Sequence, residues 1–103
     1  MRLFQRELVD MDYKKMDEFI GNSLFEARVV KRITQEEMTK AISHRLINEE
    51  NRKKGISQQA YSLYEKGERS MPSNIFTYAC DYLGLDEIKI FNDACEYIKK
   101  KEG

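Results

Sequence analysis

The residues of this chain that could carry chemistry are amides and bases rather than catalytic groups. Gln58 and Gln59 stand side by side behind Ser57, with Ser62 one helical turn beyond Gln58. A glutamine amide offers a donor and an acceptor in one plane, the complement of adenine N6 and N7. Taken alone, two glutamines after a serine read better as exposed helix formers than as base readers. Lys66 and Arg69 follow them, and the run Arg52-Lys53-Lys54 precedes them. The single histidine, His44, has no partner at metal-ligand spacing and reads as a solvated side chain. No Ser-His-Asp set, paired-carboxylate pocket or phosphate-cradling glycine loop occurs, so an enzyme is the poorest class and no cofactor is expected.

A chain of 103 residues predicts one domain with one modest core. Eighteen basic residues balance eighteen acidic ones, but unevenly along the chain. From Arg28 to Arg69 there are ten bases against six acids, a net +4, and each flank carries −2. A basic centre between acidic ends suits a surface charged on one face, although a difference this small is also what solvated helix faces produce. No run of 18 apolar residues predicts a membrane span. The opening MRLFQRELVD lacks the apolar stretch of a signal peptide. Cys80 and Cys95 form neither a disulfide framework nor a CxxC pattern, so reduced thiols and a cytoplasmic location are expected.

What must position the polar residues is a set of helices. Strand alternation and Asn-Gly turns are missing, and glycines punctuate periodic segments. Residues 1–15 read as an arm or a short helix. A first clear helix runs from about Met16 to Lys31, with Ile20, Leu24 and Ala27 on one face and Phe25 and Val29 opposite. That second pair needs a cover, either the N-terminal arm or a partner subunit. Thr34 and Glu37 have capping-box spacing, opening a second helix that buries Met38, Ile42 and Leu46. Ser57 caps a third helix, Gln58 to Lys66, which Gly67 ends. Ser73 caps a fourth, about Asn74 to Leu83. Asp86 caps a fifth within residues 86–103, with Ile88, Phe91, Cys95 and Ile98 as its inner stripe and Ile90, Ala94 and Tyr97 as a second apolar line.

Over about Met16 to Phe91 the sequence resembles the helix-turn-helix domains of phage repressors and Cro proteins, the Xre family. The matching pieces are Ile20…Leu24…Arg28, Ile33-Thr34-Gln35-Glu36-Glu37-Met38, the stretch from Ile56 to Arg69, Pro72-Ser73, and Leu83-Gly84-Leu85. The stretch from Ile56 to Pro72 is the most specific. The resemblance implies an all-α, five-helix DNA-binding domain over 16–91. Its third helix would lie in the major groove with Gln58, Gln59 and Ser62 at base edges. It also implies phosphate contacts from Gln35, Lys66 and Arg69, with Gln35 able to brace the first residue of the third helix. Arg28 and Glu65 match a structural pair that ties helix 1 to helix 3, and Tyr61 and Tyr64 fall at core positions.

One departure from the family is large. Ser43 to Gly55 stand where the family has a single glycine. An unbroken helix to Lys54 would run ~18 Å too far at 1.5 Å per residue, and Gly55 alone spans at most ~3.6 Å of the return. The second helix is therefore expected to gain one or two turns, end near Leu46 to Glu50, and return through a basic loop in which Arg52, Lys53 and Lys54 face phosphate. The resulting expectation is sequence-specific binding of double-stranded DNA, with transcriptional regulation as a repressor-like homodimer. The alternative is a protein-interaction module that keeps the fold without specific DNA readout.

Overall fold

A computed structural model describes the backbone over residues 2–102 and side chains over 13–100. The chain is all-α, with five helices: α1 (Arg2–Val30), α2 (Gln35–Glu49), α3 (Gln58–Lys66), α4 (Ser73–Leu83) and α5 (Glu87–Glu102). No helix among the described residues is long and apolar enough to cross a membrane.

α1 is longer than the spacing predicts. It is one helix from Arg2, so no boundary falls at Met16 and residues 2–15 are part of it rather than a separate arm. No Gly or Pro occurs before Gly21, and nothing else in that stretch stops a helix. The side chains of Leu3, Phe4, Leu8, Val9 and Met11 lie outside the described residues. Because the segment continues α1 it does not fold back over Phe25 and Val29, which stay 45% and 51% exposed. α1 ends with Arg32 in the left-handed region, φ 60°, where the Ile33 N–H reaches the Arg28 carbonyl at 2.9 Å.

The second helix starts as its sequence predicts. Thr34 Oγ1 accepts from the Glu37 N–H at 3.0 Å, and Glu37 Oε1 accepts from the Thr34 N–H at 2.9 Å. Met38, Ile42 and Leu46 recur every four residues and are fully buried. Around them pack Leu24, Tyr61, Ile75, Ala79, Cys80 and Leu83, all buried. Each such side chain contributes ~1.5–3 kcal/mol by leaving water.

α2 stops at Glu49 because the polar sequence beyond it finds better partners outside a helix. The Glu50 carboxylate accepts from Asn74 Nδ2 at 3.1 Å and from the Tyr78 hydroxyl at 2.5 Å, pinning the end of α2 to α4. Arg45 adds to the clamp by pairing with Glu49 and with Asp81, its guanidinium 4.3 Å from the centre of the Tyr78 ring. Asn51 then takes a left-handed φ of 55°, which asparagine tolerates well, and the chain turns back.

Two other features differ from the sequence reading. α4 begins at Ser73 itself, without a side-chain cap, because the Pro72 carbonyl already accepts from the Phe76 N–H at 3.0 Å. In α5 the inner line is Ile90, Ala94 and Ile98, not Ile88 and Phe91, which are 69% and 51% exposed. Ala94 is fully buried, and α5 meets α1 where Phe19 and Tyr97 bring ring centres to 5.2 Å. Asp86 caps this helix as predicted, accepting from the Ile88 and Lys89 N–H groups.

Candidate nucleic-acid interface

The polar face of α3 is set by what its other face buries. Ser57 caps the helix by accepting from the Ala60 N–H at 3.1 Å, which leaves Gln58 and Gln59 exposed in the first turn. Tyr61, Tyr64 and Glu65 turn inward. At the far end Gly67 adopts a left-handed φ of 73°, and a Cβ there would fall 2.6 Å from Glu18 Cα. A residue with a side chain would be strained by the backbone and blocked by α1 at once.

Two further close approaches fix α3. A Cβ at Gly21 would lie 2.5 Å from the Tyr64 carbonyl oxygen and closer still to that of Glu65, so α1 and α3 touch backbone to backbone. At the other end of α3 the returning loop is stitched to α2. Ser43 Oγ accepts from the Ile56 N–H at 3.0 Å, and Gly55 sits so close to Ser43 that a Cβ would meet its Cα at 2.8 Å. Glu50 to Ile56 spans at most ~20 Å extended, against ~10 Å of helix to climb back, so the return closes with slack.

The strongest polar link is buried. Arg28 Nε donates to Glu65 Oε2 at 2.7 Å and an Nη donates to Oε1 at 3.1 Å, while Gln35 Nε2 donates to Oε1 at 3.1 Å. The Glu65 side chain is 2% exposed. A desolvated carboxylate needs such donors, since a buried charge without them is very costly. The hydrogen bond that Arg28 donates to Glu65 also raises the arginine's pKa above its already high ordinary value. Beside it the Tyr61 hydroxyl is buried without a hydrogen-bond partner among the described residues. Burial first, and the Glu65 charge second, push its ionisation upward.

These contacts correct one detail of the expected site. Gln35 braces Glu65, near the C-terminal end of α3, rather than the first residue of that helix. The buried carboxylate is the acceptor that most needs a third donor, and it takes the amide. Gln35 nevertheless lines one open surface depression with Gln58, Gln59 and Ser62. It also lines the neighbouring one with Lys66, Glu65, Glu18, Asn22 and Phe25. Four of the expected site residues thus share a single concave patch, and Lys66 borders it.

No family model, curated protein or solved structure matches this chain.

The remaining expected residues stand apart from the patch. Arg52, Lys53, Lys54 and Arg69 are exposed and line neither depression. The three loop bases precede Gly55 and Ile56, and so reach α3 through the Ser43 stitch. Lys66 has acidic company, sharing a second depression with Asp17, Glu18 and Glu68. Sequence reasoning missed Gly21, Ser43 and Asn22. A glycine inside a helix costs ~1 kcal/mol against alanine, and that cost was the available sign of close packing at Gly21.

Proposed function

We propose that this chain binds double-stranded DNA sequence-specifically, with α2 and α3 as a helix-turn-helix and α3 in the major groove, in the manner of the Xre family it resembles. The observation that carries the reading is the shared concave patch of Gln35, Gln58, Gln59 and Ser62. Its amides and hydroxyl are suited to base edges and phosphates. Lys66, Arg69 and the loop bases Arg52, Lys53 and Lys54 would flank it as phosphate contacts. One α3 offers few readers at ~1–3 kcal/mol per good base contact. Useful discrimination therefore calls for a homodimer on two half-sites about one helical turn apart. A repressor-like transcriptional regulator in the cytoplasm is the role that fits.

Selection of binding sites from random duplex DNA, followed by salt titration, tests this. Gln58→Ala should relax preference at one base pair of the selected site. Lys66→Ala with Arg69→Ala should weaken all sequences alike and flatten the salt slope. Recovery of no preferred sequence, together with a flat salt dependence in the wild type, would remove the reading. A second reading is favoured by one observation: Phe25, Val29 and Val30 leave an exposed apolar strip on α1. A chain that keeps this fold to hold a partner protein through that strip would bind DNA weakly and without preference.

A further inference from the structure

A small cleft opens where α1, α3, α4 and α5 meet, away from the patch around Gln58. Ile20, Phe76, Met71 and Phe91 give it apolar walls, and its volume is about 180 Å³. A dry cavity of roughly 150 Å³ holds benzene, so this one has room for a single ring with a short arm. Its polar groups are few. Asp17 and Ser73 border it, and Tyr64 lines it. Asp17 is half-buried and forms no ion pair among the described residues; its Oδ2 accepts from Ser70 Oγ at 2.6 Å. Tyr64 is 7% exposed and makes no side-chain hydrogen bond among the described residues. Its hydroxyl is not sealed from solvent and so is open to a ligand, and a half-buried carboxylate without an ion pair favours a cation.

We infer that this cleft binds a compact apolar primary amine, its ring against Phe76 and Phe91 and its ammonium on Asp17, with the Tyr64 hydroxyl supplying a further hydrogen bond. Apolar walls with a few convergent polar groups are the usual make-up of a small-molecule site. The neighbouring side chains give the occupant a route to α3. Asp17 holds Ser70, which lies in the turn between Arg69 and Met71, so an ammonium on Asp17 shares its carboxylate with the contact that holds this turn. That part of the inference, control of the phosphate-facing turn, rests on the proposed DNA reading; binding of the amine does not.

The test uses phenethylamine as probe, with ethylbenzene and phenylacetate as its neutral and anionic counterparts. Binding is followed on the full chain by amide and methyl chemical-shift perturbation. Saturable shifts at Ile20, Met71 and Phe76 with the amine are expected. Affinity should fall at least tenfold for phenylacetate and, for the amine, in Asp17→Asn. Asp17→Glu, which keeps the charge, should retain most of it. Phe91→Ala, at a half-exposed wall, should weaken the amine and ethylbenzene together. No saturable shift at millimolar amine overturns the inference, as does equal affinity of Asp17→Asn for it. If the amine binds but the chain shows no DNA affinity, the cleft stands and the functional reading falls.

Discussion

Gly21→Ala separates two arguments that give opposite signs. Inside a helix, alanine is better than glycine by ~0.8–1 kcal/mol, so propensity alone says the variant is more stable. The packing says otherwise. The new methyl would sit 2.5 Å from the Tyr64 carbonyl oxygen and 2.8 Å from the Glu65 carbonyl carbon. Contacts of carbon with other heavy atoms settle near ~3.5 Å, so α3 must retreat by roughly 1 Å. Overpacking typically costs ~1–3 kcal/mol. The upper part of that range applies, because the obstacle is backbone on both sides and no side chain can swing away. Retreat also stretches the 2.7 Å link between Arg28 and Glu65. After the propensity gain, a net loss of about 2 kcal/mol remains, or ~8–16 °C in melting temperature for a domain of this size. Thermal and urea unfolding followed by circular dichroism measures it, with exposed Asn22→Ala as the control expected within ~0.5 kcal/mol. A Gly21→Ala protein more stable than wild type would refute the close approach of α1 and α3.

Three further outcomes are expected. Arg28→Ala leaves Glu65 buried with Gln35 as its remaining donor and should cost ~3–5 kcal/mol in urea unfolding; a loss below ~1 kcal/mol would show that Glu65 is not desolvated. The Tyr78 hydroxyl first and the Asn74 amide second hold the Glu50 carboxylate below its ordinary value of 4.5. Its stabilising effect is then full above that value and is lost as pH falls through the depressed one. Wild-type stability should converge on that of Glu50→Gln in acid, and a constant gap across the acid range would count against the clamp. Burial first, and the nearby Glu87 and Asp81 charges after it, push the Cys80 thiol up to about 12. A thiol reagent at pH 8 should modify Cys95 in the native protein and Cys80 only at the rate of unfolding; early loss of Cys80 would contradict its place in the core.

Much of the fold was legible because local rules and burial agreed. Thr34, Glu37, Ser57, Gly67 and Asp86 mark helix ends, and Met38, Ile42 and Leu46 mark a core face; the structure places all of them so. The second helix also ends where chain reach requires. Illegible features were those decided by contact between distant segments. α5 carries two apolar lines, and packing buries neither whole but Ile90 and Ala94 from one and Ile98 from the other. The resemblance has Gln35 brace the first residue of α3, and it goes instead to Glu65 because that carboxylate is desolvated. Of the candidate site, the grouping of Gln35 with Gln58, Gln59 and Ser62 is visible in the structure, whereas the loop bases share neither of its depressions.

The hydrogen bond between Ser43 and Ile56 gives residues 44–55 an unusual status. The chain leaves α2 and comes back to nearly the point where a single-glycine turn would have departed, so the excursion is a closed detour. Seen from α3, the detour has no length. Leu46 and Glu50 tie the last turns of α2 to the core and to α4. Only the loop beyond Glu50 can therefore change length while the start of α3 keeps its place, provided Ser43 and Gly55 still meet. What changes with each residue of that loop is the reach of whatever it displays, now Arg52, Lys53 and Lys54. The molecule thereby separates two design variables that are normally locked together: the aim of one helix and the reach of an appendage beside it. Swapping the tip for another short sequence is a graft this framework is built to accept.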